Sequence, residues 1–362
     1  MTSTVADPQT ARGKVLAWGL WDWGSAAFNA VATTFVFTVY ITGQAFGEQA
    51  AVSAQLGWAL GLAGIVVLLI APVTGQRSDT SGRRKLWLAV NTAVVVACLA
   101  LMFLVQPSVD YLLLGLILLA VGTVFFEIAG VNYNAMLAQV STPKTVGRVS
   151  GFGWGMGYIG GIVLLLIVYF GFIKPEVGLF GVTSEDGLAV RVSMVIAALW
   201  FAVFALPVLF AIPELPVTDA AKRARVGFIQ SYAVLGKDIA RLWKTSRQTV
   251  YFLLASAVFR DGLTGVFTFG GVLAAGTFGF SPGDVIIFAI AANVVAGIST
   301  ISVGYLDDRL GAKPVIITAL IGLVISGTLV FLLHDGGTVV FWIFGLALCL
   351  LFLLLRCDLL AG

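Results

Sequence analysis

Read with a window of about 20 residues, the length of helix that crosses a hydrocarbon core, the sequence resolves into about ten long apolar segments joined by short polar connections. They fall at 16–46, 52–73, 86–106, 111–140, 150–172, 192–212, 249–278, 284–304, 314–333 and 339–355. This pattern constrains the fold because backbone N–H and C=O groups in lipid must be satisfied within the spanning unit, which leaves helices and closed barrels. A barrel needs alternating apolar and polar residues, whereas these segments are apolar on every face. The expected class is an all-α polytopic membrane protein. Composition agrees, since only 11% of the 362 residues are charged, against about 25% in a typical soluble domain. The first 14 residues are polar and lack the basic start, short apolar core and small-residue site of a cleaved leader, so the first segment is expected to be retained.

The connections alternate in charge. One set carries Arg12 and Lys14, then Arg77, Arg83, Arg84 and Lys85, then Lys144 and Arg148, the stretch from Lys222 to Arg247, Arg309 and Lys313, and Arg356. The other set carries only Lys174 and Arg191. Lys and Arg are retained on the cytoplasmic side, so the expected location is the cell's inner (plasma) membrane, multi-pass, with a cytoplasmic N-terminus. The implied organisation is a cytoplasmic start at 1–14, a six-helix half at 15–212, a cytoplasmic linker at 213–248 and a second half at 249–362. Within the linker, an amphipathic helix from about Phe228 to Trp243 is expected on the anionic inner leaflet. A solvated linker whose cations only fix topology is the equal alternative.

Cys98, Cys349 and Cys357 show no metal or redox spacing, and the single histidine, His334, stands beside Asp335 in a short loop. Neither an enzyme, a metal, a cofactor nor a nucleic-acid partner is expected.

An internal repeat is present. Gly75, Asp79, Gly82, Arg83 and Arg84 between segments two and three correspond to Gly304, Asp308, Arg309, Gly311 and Lys313 between segments eight and nine. In both stretches the glycine is followed by Asp at +4, glycine at +7 and a basic residue at +9. Two copies at equivalent places imply two homologous six-helix halves. The loops resemble the Gly-x-x-x-Asp-Arg/Lys-x-Gly-Arg/Lys-Arg/Lys motif of the major facilitator superfamily (MFS), with Thr80 and Ala312 as departures. The motif residues are assigned to gating: glycines keep the turns tight, and the Asp can accept from a helix N-terminus or pair with Arg.

Three further stretches narrow the resemblance. They are Trp21 to Phe28 with Thr34 to Phe37; Tyr133 to Leu137 with Gly147 to Trp154 and Gly157 to Gly161; and Phe259 to Gly262. Together they are similar to the vacuole-effluxer, autophagy-related branch of that superfamily. The resemblance implies a secondary transporter working by alternating access on a small polar solute, an amino acid among the candidates, since the eukaryotic members of that branch are associated with amino-acid efflux. It also implies that the glycines of segment five, Gly153, Gly157 and Gly161, pack against small residues of segment eight such as Ala292, Ala296 and Gly297.

Ionisable residues within the segments point to the solute pathway, since each costs about 2.5–3.5 kcal/mol on insertion scales and normally faces a cavity or a partner. Four qualify: Asp22, Glu127, Arg260 and Asp261. Arg260 lies some ten residues into segment seven, about 15 Å at 1.5 Å per residue. Adjacent on a helix, Arg260 and Asp261 point about 100° apart, so Arg260 is read as holding a substrate carboxylate or Glu127 while Asp261 turns to neighbouring helices. A buried network that never touches solute is the alternative. Proton coupling through Glu127, Asp22 or Asp261 and uncoupled diffusion both fit. Asn29, Asn132, Asn134 and Tyr133 are candidate neutral hydrogen-bonding groups, and Asn also serves as interhelix glue. Trp18, Trp21 and Trp23 read as an interfacial belt near the cytoplasmic end, only about two turns deep at Asp22.

Expected partners are thus a small-molecule solute, protons and membrane lipids, with no oligomer required. The resemblance implies twelve helices, so the run from Leu350 to Gly362 reads as a fragment or frame-shifted end, with the C-terminal pair missing. A cavity open on one wall and weak transport are expected from that form. Rival readings are a channel, a polytopic enzyme acting on lipid-linked substrate, and a non-transporting membrane scaffold.

Overall fold

The computed structural model describes residues 8–142, 145–214, 228–295, 312–343 and 345–347. Among the described residues the chain is helical almost throughout, and extended pairing is limited to one antiparallel bridge between Val177 and Thr183. The first span joins α1 (Pro8–Ala26), a π-helical stretch (Ala27–Phe35) and α2 (Phe37–Ile41). It is followed by α3 (Gln49–Ser81), α4 (Arg84–Leu101), α5 (Val109–Ala135), the short α6 (Leu137–Val140), α7 (Val146–Val168) and α8 (Leu188–Ala211). The linker helix α9 (Phe228–Thr245) leads into α10 (Arg247–Gly276), α11 (Pro282–Val295), α12 (Ala312–Leu332) and a last helical stretch at 337–343 and 345–347. Six helices before the linker are long and apolar enough to cross a membrane.

The apolar segments become helices because in lipid each must satisfy its own backbone polar groups, even with Pro72 inside α3 and Pro207 inside α8, and their ends carry local stop signals. Ser108 accepts from the Asp110 amide and so caps α5. Gly82 ends α3 in the left-handed region at φ 64°, which only glycine enters without penalty. The rest of the first motif is not a turn: Gly75 and Asp79 lie inside α3. A short polar turn between segments ending at 73 and starting at 86 was expected there, and the structure replaces most of it with a helix that runs to Ser81 and a break of two residues.

The first span is the axis of the N-terminal half. Its most apolar window is 78% buried, whereas that of α3 is 17% buried. Trp58, Leu62 and Leu68 of α3 are exposed, as befits a wall whose solvent is lipid. Phe28, Val31, Phe37 and Ile41 of the first span are enclosed by Leu99 and Met102 at the end of α4, Leu116 and Leu119 from α5, Leu164 and Leu165 from α7, and Ala197 and Phe201 from α8.

Segment five, now α7, was expected to pack on segment eight, and the structure corrects this: its glycines lie mainly on α1. A Cβ on Gly153 would stand 2.5 Å from the Trp18 ring, one on Gly157 3.4 Å from the Asp22 carboxyl carbon, and one on Gly160 2.5 Å from the Trp23 carbonyl oxygen. Gly161 looks across to α11, where a Cβ on it would stand 3.5 Å from Asn293 Oδ1; Ala296 and Gly297, expected as further partners, lie outside the described residues. The reason lies in the phase of the helix. Gly153, Gly157 and Gly160 share one stripe, and that stripe meets the backbone of the most buried helix.

Gly160→Ala is expected to lower the thermal midpoint in detergent by an amount equivalent to about 1–3 kcal/mol, because the obstacle is backbone. Gly151→Ala, whose Cβ meets nothing within 4 Å, should leave the midpoint unchanged or raise it slightly by helix propensity. Equal effects of the two changes in differential scanning fluorimetry would refute the assigned contact.

Candidate functional site

Where α1 crosses α5, two tryptophans enclose a tyrosine. Trp18 stacks on Tyr133 at 4.5 Å between ring centroids and Trp21 stacks on it at 4.3 Å. Residues three apart on α1 lie on one face, so one indole takes each side of the phenol. A buried indole N–H needs an acceptor. Trp18 Nε1 donates to the Tyr133 carbonyl and Trp21 Nε1 to Thr92 Oγ1, each at 3.1 Å. The expected interfacial belt is therefore overturned: both tryptophans are 2% exposed and belong to the core. Trp23 turns the other way, stacking on Trp200, whose Nε1 donates to the Trp23 carbonyl at 3.2 Å.

Asp22 lies half-buried beside this stack. Ser25 Oγ donates to its Oδ1 at 3.1 Å, and Gly157 leaves room for its carboxylate. The helix begins before segment one was expected to, and Asp22 lies about a third of the way along the span Arg12–Ile41. The Tyr133 hydroxyl is buried without a hydrogen-bond partner among the described residues. Asn132 is fully buried, and its Nδ2 donates to the Ile128 carbonyl at 2.9 Å, inside the half.

The other polar candidates face outward from the packed core. On α5, Phe126 packs on Phe28 of the first span at 5.0 Å, while Ile128 packs on Ala63 of α3. Glu127 falls between these directions, and Gly130 and Asn134 follow it at helical spacing on the same face. Glu127 and Asn134 are exposed, and the space beside Gly130 is open. Asn29, next to Phe28, is exposed as well. Asn29 and Glu127 therefore flank one aromatic contact. Asn29 also lies in the π-helical stretch, where its carbonyl accepts from Thr33 and Thr34 hydroxyls, both at 2.7 Å. Such stretches concentrate at functional sites. Arg260 and Asp261 lie in the middle of α10, and their side chains fall outside the described residues.

At the end of the bundle that holds the N-terminus, the first motif ties helices together. Arg84 Nη1 donates to the Ala135 carbonyl at 3.3 Å, and Lys85 Nζ donates to the Leu209 carbonyl at 3.0 Å. Each cation meets a carbonyl at the C-terminal end of a helix, where the macrodipole is negative. The Lys85 amide also donates to Glu214 at 3.1 Å. Lys85, Glu214, Thr92 and Ser25 were not singled out from sequence; a cation one residue beyond a motif, facing helix ends distant in sequence, carries no local signal. The Asp79 and Lys313 side chains and the whole of Gly304, Asp308, Arg309 and Gly311 lie outside the described residues.

At the opposite end the two parts of the chain meet. A Cβ on Gly271 of α10 would stand 2.5 Å from the Thr34 carbonyl, Gly276 lies against Gln49, and a Cβ on Gly283 would stand 3.4 Å from the Tyr169 ring. A pocket of about 260 Å³ lies here, lined by Phe35, Tyr40, Phe46, Pro107, Ile173 and Ile286 among others. Its walls are largely apolar, with Tyr40 and Gln44 among the lining residues.

A model of the family described as vacuole effluxer Atg22 like matches residues 39–334. The uncharacterized MFS-type transporter YxiO of Bacillus subtilis (strain 168) is 27% identical over 330 residues, covering 90% of this chain and 74% of that protein. Among solved structures, the xylose transporter XylE from E. coli, in a partially occluded inward open conformation, superposes with a TM-score of 0.64 at 15% identity, over 96% of this chain and 84% of that one. A variant of the nucleoside transporter NupG gives 0.63 at 17% identity, over 95% and 80%. At these identities the likeness is one of fold.

Tyr133→Phe is expected to leave the thermal midpoint nearly unchanged, because removing a buried hydroxyl that has no partner forfeits no hydrogen bond. Tyr133→Ala empties the space between the two indoles and is expected to lower stability by about 3–5 kcal/mol, seen as a large fall in the unfolding midpoint.

Proposed function

Because this chain belongs to the vacuole effluxer Atg22 like family, we propose that it is a major facilitator transporter that carries a small zwitterionic solute, an amino acid, by alternating access. The observation that carries the choice of solute is the open polar face made by Glu127 and Asn134 on α5 beside Asn29 on the first span. Glu127 lies near the middle of the span Val109–Val140. Ionisable groups at that depth mark solute and ion pathways, and Glu127 is assigned the solute ammonium. Arg260, mid-way along α10, is assigned the solute carboxylate, with Asp261 turned toward neighbouring helices. Asp22, Glu127 and Asp261 are the carboxylates available for proton coupling. Arg84 and Lys85 are assigned to the gate at the N-terminal end, together with Gly75, Asp79, Gly82 and Arg83. The second motif, Gly304, Asp308, Arg309, Gly311 and Lys313, is assigned the same role in the other half.

Orientation follows from the charge of the connections: with the N-terminus cytoplasmic, the contacts of Gly271, Gly276 and Gly283 lie on the outer side. In this reading the structure is closed outward. Alternating access then requires α10 and α11 to part from the N-terminal half at these glycines, Gly271 from Thr34, Gly276 from Gln49 and Gly283 from Tyr169, where small side chains let the backbones meet and separate.

Two measurements test the proposal. A thermal-shift screen of the purified protein against amino acids, sugars and nucleosides is expected to give stabilisation by an amino acid, about 2.7 kcal/mol at a hundredfold excess over Kd. Arg260→Ala and Glu127→Gln should each abolish that shift without lowering the ligand-free midpoint. A shift that survives both changes, or stabilisation by sugars alone, contradicts the assigned site. For the gate, Gly271→Val is expected to hold α10 off Thr34 and, with the native cysteines replaced by serine, to raise several-fold the labelling, by a membrane-impermeant thiol reagent, of a cysteine placed at the half-buried Val39. Unchanged labelling would contradict the assignment of this contact to the closed outer gate.

A further inference from the structure

The linker helix α9 carries three cations against one carboxylate, Lys237, Arg241 and Lys244 beside Asp238, and sets them opposite most of its apolar residues, with Val234 on the cationic side. Tyr232, Leu235, Ile239, Leu242 and Trp243 recur every three or four residues and form one face, while Lys237, Arg241 and Lys244 take the opposite one. In a soluble helical protein such an apolar stripe would be covered. Here α9 packs against α3 and α10 and buries Ser231. Yet Leu235, Ile239 and Trp243 remain 40%, 47% and 40% exposed.

That exposed stripe does not end with α9. Trp243 meets Tyr251 of α10 edge-on at 5.6 Å, and the Arg247 guanidinium lies over the Trp243 ring at 5.7 Å. Beyond Tyr251, α10 exposes Phe252, Leu254 and Val258, which on a membrane-spanning helix is the wall that lipid covers. The apolar face of α9 is thus continuous with a lipid-covered surface, and it is backed by cations at the level where that surface must meet headgroups.

We propose that α9 is a docking surface for an anionic lipid leaflet, with Leu235, Ile239 and Trp243 inserted among the upper acyl chains and Lys237, Arg241 and Lys244 at the phosphates. The long aliphatic stems of these cations let the charges reach the headgroup plane from a helix lying in it. Arg247 and Trp243 join this surface to the first turn of α10, the helix that carries Arg260. Lipid charge then bears on the placement of α10. The proposal rests on the membrane-spanning reading of α10 and is independent of which solute is carried.

The test uses the full chain with its native cysteines replaced by serine, spin-labelled at a single cysteine in place of Ile239 or of Lys237. The protein is reconstituted in vesicles of phosphatidylcholine with phosphatidylglycerol, or of phosphatidylcholine alone. With the anionic lipid, the label at Ile239 is expected to be relaxed strongly by oxygen and weakly by an aqueous nickel chelate, and the label at Lys237 the reverse. The oxygen-to-nickel ratio at Ile239 should fall about tenfold in phosphatidylcholine alone, and likewise in anionic vesicles when Lys237, Arg241 and Lys244 are all changed to Gln. Comparing the two lipids on one protein requires no variant beyond the labelled one to fold. Access of nickel to Ile239 equal to that at Lys237 would overturn the proposal by making α9 a solvated linker. Shielding of Ile239 from both reagents would overturn it by showing that protein covers this face, and a high oxygen ratio that ignores phosphatidylglycerol would overturn the recognition of anionic lipid.

Discussion

The approach of α7 to α1 along Gly153, Gly157 and Gly160 sets the distances on which the N-terminal half depends. Without Cβ atoms at these places, the backbone of Trp23, the ring of Trp18 and the carboxylate of Asp22 lie within contact of another helix. In lipid there is no hydrophobic drive to press helices together, so association relies on dispersion contacts, which need close backbone approach, and on interhelical hydrogen bonds. The seam therefore fixes the rotation of the first span. That rotation turns Trp18 and Trp21 onto Tyr133 and Phe28 onto Phe126, and it leaves Asn29 facing outward.

From that arrangement the polar residues sort by neighbour. Phe126 and Ile128 are committed to α1 and α3, which forces Glu127, between them in sequence, onto the remaining face. Asn134 shares it. Asn132 and Tyr133, one and two residues away, are forced inward by the same helical phase. A membrane carboxylate next to a packed aromatic junction is held in a defined position at small entropic cost, because its neighbours are already ordered. The π-helical stretch adds a local irregularity at the same depth, with the Asn29 carbonyl shared between two threonine hydroxyls.

The ends of the bundle use different physics. At the N-terminal end, cations meet the carbonyls that helix termini leave unsatisfied: Arg84 for α5, Lys85 for α8. These bonds are directional, charge-assisted and exposed to water on one side, so they can be exchanged. At the other end, glycines bring α10 against Thr34 of the first span and Gln49 of α3, and α11 against Tyr169. Parting that end gives up close packing, which lipid and solute must replace.

How much was legible in the sequence follows from the range of each signal. Span positions, the linker helix over Phe228–Thr245 and the all-α class are set by local hydropathy and by the demand that lipid places on backbone polar groups, and all can be read residue by residue. The partner of the glycine stripe, the burial of Trp18 and Trp21, and the tie from Lys85 to α8 were not legible, because tryptophan near a helix end reads as an interfacial residue until a phenol from a distant helix is placed between two of them. The first motif read as a turn because its glycines suggest one, but helix propagation carried α3 through Gly75 and only Gly82 needed the left-handed conformation. Sequence by itself determined that the chain crosses a membrane as helices, since that depends on the composition of each segment. Tertiary structure decided which face of each helix meets which neighbour, since rotation about a helix axis is fixed by packing and leaves no trace in local composition.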